Sequence, residues 1–208
     1  GGAFLALQSL LARVLARRLR QVPSPLPLRV MELLLAWGFV PKRTIIVDHA
    51  DTGFTGGIMG WPGSETLMIP RQWLRLSPEQ LAAVVARRLA AIESGSRTGG
   101  IVVACGWIVT GFVVGSLLPG AGVRSVAELI TLYCGFTLWS FLGLLTLPTL
   151  SRLSSLAIDR HVIERGVVQK DLESSLALLD LWQDDEPERS PVVETIFHPV
   201  PSLKNRLH

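Results

Sequence analysis

Hydrophobic residues in this chain of 208 residues follow two main patterns, unbroken runs and helical repeats. Residues 100–118 and 129–150 form two runs without a charged residue, and each is long enough for a helix to cross the apolar core of a bilayer. The link at residues 119–128 contains proline and glycine, which favour a turn outside the membrane. The pattern predicts a transmembrane helical hairpin over residues 100–150, although two helices in a very hydrophobic soluble core would show the same pattern.

Ahead of this hairpin, apolar residues at helical spacing predict a helix at residues 76–92. Ser77 is a suitable N-cap, Pro78 fits the first turn, and Gln80 stands where a capping box needs it. Apolar residues recur at helical spacing: Leu81, Val84, Val85, Leu89 and Ile92. One face of this helix is therefore expected to be buried.

Shorter patterns predict the other elements, which are helices at residues 28–37, 151–164 and 170–182 and strands at residues 43–48 and 65–69. Gly38 is expected to close the first of these helices. The glycine-rich span 52–63 joins the two strands and favours a β-hairpin with turns and a bulge. It does not match a phosphate-binding loop, because no Gly-Lys-Ser/Thr follows it.

The N-terminal segment, residues 1–24, combines an apolar stripe with positive charge. Residues 3–20 are predicted to form an amphipathic helix with arginines in its second half, and the prolines of residues 22–27 predict a stiff connector. A helix at an anionic membrane surface, the tail of a truncated membrane span and a packed helix with a solvated basic face all fit the pattern. The chain begins Gly-Gly without an initiator Met, so the sequence is also compatible with a membrane segment ahead of residue 1.

The composition agrees with a membrane protein, since 49% of the residues are hydrophobic and only 18% are charged. The net charge is +3, and the basic residues are dispersed without interleaved aromatic residues, which excludes a typical nucleic-acid surface. Cys105 and Cys134 both lie in apolar runs and are expected to be small buried hydrophobic residues rather than a disulfide or a metal pair.

Arginines are distributed unevenly around the predicted hairpin. Arg87, Arg88 and Arg97 precede it and Arg152 follows it, whereas the turn contains only Arg124. By the positive-inside rule, this distribution predicts that the main domain lies in the cytoplasm.

Several short motifs occur in a characteristic order. Residues 76–86, LSPEQLAAVVA, form the first half of the predicted capped helix, and residues 151–160 contain Ser-Arg and then Ile-Asp-Arg. His198-Pro199 and Arg206 lie near the end of the chain. With a hairpin directly after the capped helix, these motifs resemble the HtpX-like family of membrane-embedded zinc metallopeptidases, gluzincins that include the CAAX prenyl protease. The resemblance extends from about residue 25 to residue 207.

The resemblance implies where the chemistry of the family would lie. A His-Glu-x-x-His motif supplies two zinc ligands and a general base, and a Glu on a later helix supplies the third ligand. In this chain the first His falls on Arg87, the base on Arg88, the second His on Ala91 and the third ligand on Ser155. Arginine stays protonated and alanine has no donor atom, so the sequence predicts no metal site and no cofactor at these positions.

Three polar residues of the family pattern remain, namely Asp159, His198 and Arg206. A buried uncompensated charge is costly, so an inward-facing arginine needs a partner. We predict that Arg87 or Arg88 reaches Asp159 or Glu164. The alternative is that both arginines lie on the cytoplasmic or membrane surface.

A relocated zinc site is the remaining metal hypothesis. His161 and Glu164 are three residues apart on a predicted helix, and Asp159 is nearby. Asp159 and His161 are only two residues apart and point in different directions, which disfavours a shared metal. His161 is therefore interpreted as a surface histidine.

Together, these features predict a mainly helical α+β protein. A metallopeptidase-like domain with a small β-hairpin, residues 25–99 and 151–208, is interrupted after the capped helix by the transmembrane hairpin, residues 100–150. The predicted function is that of a catalytically inactive, membrane-anchored pseudopeptidase, a binding, accessory or structural subunit of a membrane protein complex. An active zinc-dependent membrane endopeptidase with relocated ligands is the alternative.

The expected partners are the lipid bilayer and membrane proteins, not nucleic acid. The resemblance implies that the edge of the predicted β-hairpin receives an extended strand, and strand addition needs no zinc. The candidate residues for partner binding are Gly53, Phe54, Thr55, Gly56, Gly57, Ile58 and Met59. The predicted location is a bacterial inner membrane, with the main domain in the cytoplasm.

Overall fold

The computed structural model describes residues 20–23, 25–49, 53–60 and 63–183. In chain order their elements are β1 (Arg20–Pro23), α1 (Leu28–Ala36), β2 (Arg43–Asp48), β3 (Gly57–Met59), β4 (Thr66–Pro70), a 3-10 helix (Arg71–Arg75), α2 (Pro78–Glu93), α3 (Ser96–Ser116), α4 (Val126–Glu164) and α5 (Gln169–Trp182). The expectation of a mainly helical chain with a small sheet is confirmed. The described residues form two compact units, of which one is residues 97–155 and the other comprises the residues on either side.

The sheet has four strands in the order β1-β2-β4-β3. The strand predicted at residues 43–48 is confirmed as β2, and the strand predicted at 65–69 is shifted by one residue in β4. The predicted hairpin between them is wrong, because β2 and β4 are parallel. The intervening span contains β3, which returns antiparallel to β4 and forms the real hairpin with it.

Two glycines determine where β3 lies. Gly56 and Gly60, one on each side of the strand, both have positive φ angles, which favour glycine. A Cβ atom at Gly56 would overlap the carbonyl oxygen of Met68 in β4. At Gly60 it would come too close to the carbonyl oxygen of Ser64. The glycine-rich span therefore allows the backbone to approach β4 closely.

The N-terminal prediction needs a correction. Residues 1–19, most of the predicted basic helix, lie outside the described residues. Arg20, its predicted last residue, instead begins β1, and the predicted stiff connector overlaps that strand. The reason is non-local, because β1 pairs antiparallel with β2, with Arg20 opposite Asp48. Pro23 is compatible with this strand because it stands at the end of an edge strand.

The capped helix α2 lies at the centre of the hydrophobic core. Ser77 and Gln80 form the predicted capping box through two bonds of 3.2 Å each. The predicted apolar face is buried, and it packs with residues of α1, the end of α4 and α5 in one cluster. Gln80 Nε2 also donates to Ser174 Oγ at 3.0 Å, which links α2 to α5. This packing holds the second half of α2 in a defined position.

The unit of residues 97–155 contains the predicted hairpin, whose helices α3 and α4 are long and apolar enough to cross a membrane. Only 11% and 6% of their apolar stretches are buried, whereas a helix in a soluble core would be mostly buried. Helix α4 is one continuous helix of 39 residues, which joins the second apolar run to the helix predicted at residues 151–164. Pro148 lies inside it, as neighbouring groups can allow in membrane helices.

Small residues bring α3 and α4 together within the hairpin. A Cβ atom at Gly111 would overlap the ring of Trp139, and one at Gly143 would press on Trp107. The two tryptophan rings stack at 4.5 Å, and Trp139 Nε1 donates to the Trp107 carbonyl oxygen at 2.9 Å. The glycines thus serve the contact between these two helices.

The cysteine prediction is wrong in one respect. Both cysteines are free, as expected, but Cys105 is only partly buried and Cys134 is exposed. Most of the surface of the apolar stretches in their helices is uncovered.

Candidate functional site

The second half of α2 places two arginines next to each other. Arg87 Nε donates to Asp159 Oδ1 of α4 at 2.5 Å, and the two side chains form an ion pair. Asp159 is only 1% exposed, whereas 20% of the Arg87 side chain is exposed. The predicted contact between an arginine and the retained acid is confirmed, and the pair is Arg87 with Asp159.

Arg88 points toward a different part of the domain. Its Nη2 donates to the carbonyl oxygen of Thr55 at 3.3 Å, and its guanidinium lies 5.8 Å from the ring centre of Trp73. Among the described residues it forms no ion pair. Burial, and to a smaller extent the positive charge of Arg87, lower the pKa of Arg88 to about 10. Arg88 therefore remains charged at neutral pH, at a cost in free energy.

The residues at the four positions that the resemblance assigns to the zinc ligands and the general base do not fit a zinc ion. Arg87 and Arg88 carry positive charge, and Ala91 of α2 has no side-chain donor. Ser155 is a partly buried residue of α4, one turn before Asp159. Zinc in proteins is bound by thiolate, imidazole and carboxylate groups, none of which stands at these positions.

The relocated metal hypothesis finds no site in the described part of the chain, where no three His, Cys, Asp or Glu side chains come together. His161 is partly buried and its ring meets Phe39 edge-on at 6.5 Å. Glu164 is exposed at the end of α4. His198 and Arg206 lie outside the described residues.

The candidate partner-binding segment includes β3 and the residues before it. Because β3 is the last strand in the order of the sheet, no described strand pairs with its outer side. Two contacts hold the preceding residues, since Gln72 Nε2 donates to the Phe54 carbonyl oxygen at 3.4 Å and Arg88 donates to that of Thr55. The ring of Phe54 also stacks on that of His49 at 4.8 Å. The segment before the edge strand is therefore connected to α2 through Arg88.

The contacts of Arg88 were not predicted. The sequence suggested Asp159 or Glu164 as its partner, whereas the observed partners are the backbone carbonyl of Thr55 and the indole ring of Trp73. A backbone acceptor has no signature in the sequence. The only available signal was Trp73, a large aromatic residue near the capped helix.

The fold and site define a class of protein, an α+β metallopeptidase-like domain with a two-helix membrane hairpin and no zinc-ligand side chains at the expected positions. The solved structure of Ste24p from S. mikatae has a similar fold, with a TM-score of 0.73 over 98% of this chain and 14% sequence identity. This chain spans 55% of that structure, about half its length. No protein-family model matches the chain, and no curated protein matches it in sequence.

The likeness to Ste24p supports the metallopeptidase-like fold that the sequence resemblance implied. The two exposed apolar helices are themselves long and apolar enough to cross a membrane.

Proposed function

We propose that this chain is a catalytically inactive, membrane-anchored pseudopeptidase that binds other proteins as an accessory or structural subunit of a membrane complex. The observation that carries the proposal is the ion pair between Arg87 and Asp159. A zinc hydrolase needs ligands and a general base on this helix, whereas here a guanidinium reaches the retained acid. The proposed protein thus keeps the scaffold without a ligand or a general base at these positions of α2.

Binding is the function that such a scaffold can still perform. The outer side of β3 is open to an additional strand within the described structure, and backbone hydrogen bonds along a sheet edge supply affinity without a metal. The orientation that we propose places the domain in the cytoplasm of a bacterial cell and the hairpin in the inner membrane. It follows from the excess of arginines on the domain side of the hairpin.

Metal content and proteolysis test the catalytic part of the proposal. We expect the detergent-purified protein to contain far less than stoichiometric zinc. We also expect it to leave casein uncleaved when zinc is added, because no ligand set is available at the site. A sample treated with chelator and then desalted is the matched control. Stoichiometric zinc with chelator-sensitive cleavage would instead establish an active endopeptidase with relocated ligands.

Affinity purification from native membranes tests the binding part. We expect a partner at stoichiometric yield with the wild type, and its loss with Gly56→Ala, which disturbs the placement of β3. Gly57→Ala is the matched control, because a Cβ atom there meets nothing within 4 Å. Recovery of the wild-type protein alone, from the membranes in which it is naturally made, would contradict the proposed role as a subunit.

A further inference from the structure

Arg88 carries a positive charge that no acidic side chain balances within the described ranges. Its side chain is partly buried, and none of the ion pairs formed there includes it. Its polar contacts are the hydrogen bond from Nη2 to the Thr55 carbonyl oxygen and the contact with the ring of Trp73. A charge that is removed from water without a partner costs free energy, and a counter-ion at this position would offset that cost.

Unused hydrogen-bond donors surround the same position. A guanidinium has five N–H donors, and Arg88 uses one of its nitrogens toward Thr55. Trp73 supplies another donor, because its side chain is only 1% exposed and its indole Nε1 has no acceptor in the described part of the chain. Such unpaired buried donors are rare and costly. The guanidinium carbon of Arg88 lies 5.8 Å from the centre of the Trp73 ring, so the unused donors of the two residues are neighbours.

The charge and the donors together indicate the chemical class of a ligand. Guanidinium and indole N–H groups only donate hydrogen bonds, so they suit an acceptor and repel a cation. One negative charge neutralises Arg88. A divalent anion would leave a net negative charge in the same partly dehydrated surroundings, at a further cost in free energy. A small monovalent anion therefore fits this position best.

We infer that Arg88 and the indole N–H of Trp73 together bind a small monovalent anion from solution, such as chloride. The anion accepts hydrogen bonds from both side chains and neutralises the guanidinium. Because Arg88 also donates to Thr55, the bound anion joins α2, the 3-10 helix and the segment before β3 around one centre. The inference does not depend on the proposed function, since a solution anion requires no partner protein.

The experiment uses the full chain in a non-ionic detergent, which supplies no anion of its own. Thermal unfolding is recorded at neutral pH while chloride replaces gluconate, an anion too large for a small enclosed site, at constant ionic strength. We expect chloride to raise the melting temperature of the wild type by about 2–4 °C. This is the shift that a ligand at several times its dissociation constant produces in a chain of this size.

Protein variants identify the donors, and the chloride shift is compared within each variant, so the stability of the variant itself does not enter. Arg88→Met removes the charge and should abolish the shift. Trp73→Phe keeps an aromatic ring without the N–H and should reduce it. Arg29→Met is the matched control and should keep the full shift, because the Arg29 side chain is 61% exposed and pairs with Glu32 of its own helix.

A second measurement detects the anion without unfolding the protein. Chloride that exchanges between solution and a protein site gives a broadened chloride NMR signal. We expect this broadening with the wild type and with Arg29→Met, and its loss with Arg88→Met.

Three results would overturn the inference. They are the absence of a chloride shift in the wild type, an equal shift in Arg88→Met, or a full shift in Trp73→Phe. The headgroup of phosphatidylglycerol is a second source of a single negative charge, and this lipid is therefore added to the micelles in gluconate. A stabilisation by the lipid that depends on Arg88, without any response to chloride, would overturn the solution anion and assign the charge to a lipid headgroup.

Discussion

Asp159 is a buried carboxylate, and Arg87 is its partner in an ion pair. Removing one member of a buried pair leaves an uncompensated charge, which is strongly destabilising. We expect Arg87→Gln to lower the free energy of unfolding by about 3 kcal/mol. Denaturant unfolding in detergent, followed by circular dichroism, measures this loss.

The double variant Arg87→Met/Asp159→Leu distinguishes a cost of lost pairing from a cost of lost packing. Replacing both charges by apolar groups of similar size is often neutral or stabilising, so most of the stability should return. A single variant as stable as the wild type would show that Asp159 does not depend on Arg87.

Arg88 is expected to behave in the opposite way. Its folded-state pKa is lowered to about 10, because burial disfavours the charged form. At pH 7 this charge reduces stability, so Arg88→Met should unfold at the same or a higher temperature than the wild type.

The higher thermal stability expected of Arg88→Met relative to the wild type should depend on pH. As the pH rises through about 10, the folded wild type loses the Arg88 proton while the unfolded wild type still holds it, so wild-type stability rises relative to the variant. The difference in melting temperature should therefore shrink above about pH 10. Arg29→Met, at an exposed position, is the control and should show no such trend. A large loss of stability in Arg88→Met at pH 7 would contradict this account.

At the scale of elements, the short strand β3 depends on the glycine before it. Gly56 has a φ of 69°, and a Cβ atom there would meet the backbone of β4, which cannot move aside as a flexible side chain can. We expect Gly56→Ala to cost about 2 kcal/mol or more and to speed amide hydrogen exchange in β3 and β4. Gly57→Ala should change exchange little, because the space around it is open. Equal effects of the two variants would rule out this explanation.

The membrane hairpin has a similar pair of test positions in α3. A Cβ atom at Gly111 would overlap the ring of Trp139, whereas at Gly106 nothing lies within 4 Å. We expect Gly111→Ala to destabilise the contact between α3 and α4 by about 1–3 kcal/mol, the usual cost of overpacking, and Gly106→Ala to have no effect. Thermal unfolding in micelles, followed by tryptophan fluorescence, reports the packing of Trp107 on Trp139. The same melting temperature for both variants would contradict the packing.

At the scale of the whole molecule, the uneven arginine distribution predicts opposite sides of the membrane for the turn and the domain. In a background with both cysteines replaced by serine, Ser125→Cys in the turn should react with an impermeant maleimide in intact bacterial spheroplasts. Lys42→Cys in the domain should react only after permeabilisation. Both positions are outside the apolar helices. The reverse pattern would place the domain outside the cytoplasm.

Elements that depend only on residues close together in the chain were predictable from the sequence. The capping box of α2 needs only Ser77 and Gln80, and the hairpin follows from the lengths of two uncharged runs. The contact of Arg87 with Asp159 was predictable within a choice of two arginines and two acids, because a buried charge requires a partner.

Features that depend on distant backbone were decided only by the tertiary structure. The parallel pairing of β2 with β4 and the edge position of β3 have no local signal, since a strand of three residues is too short to show an alternating pattern. The strand β1 forms because β2 offers it an edge, against the tendency of its proline-rich sequence. Arg88 reaches Thr55 because Gly56 and β4 bring that carbonyl to α2. The sequence by itself thus determined that arginines stand at two of the positions that the resemblance assigns to zinc chemistry. The fold decided that Arg87 pairs with Asp159 and that Arg88 contacts Thr55 instead.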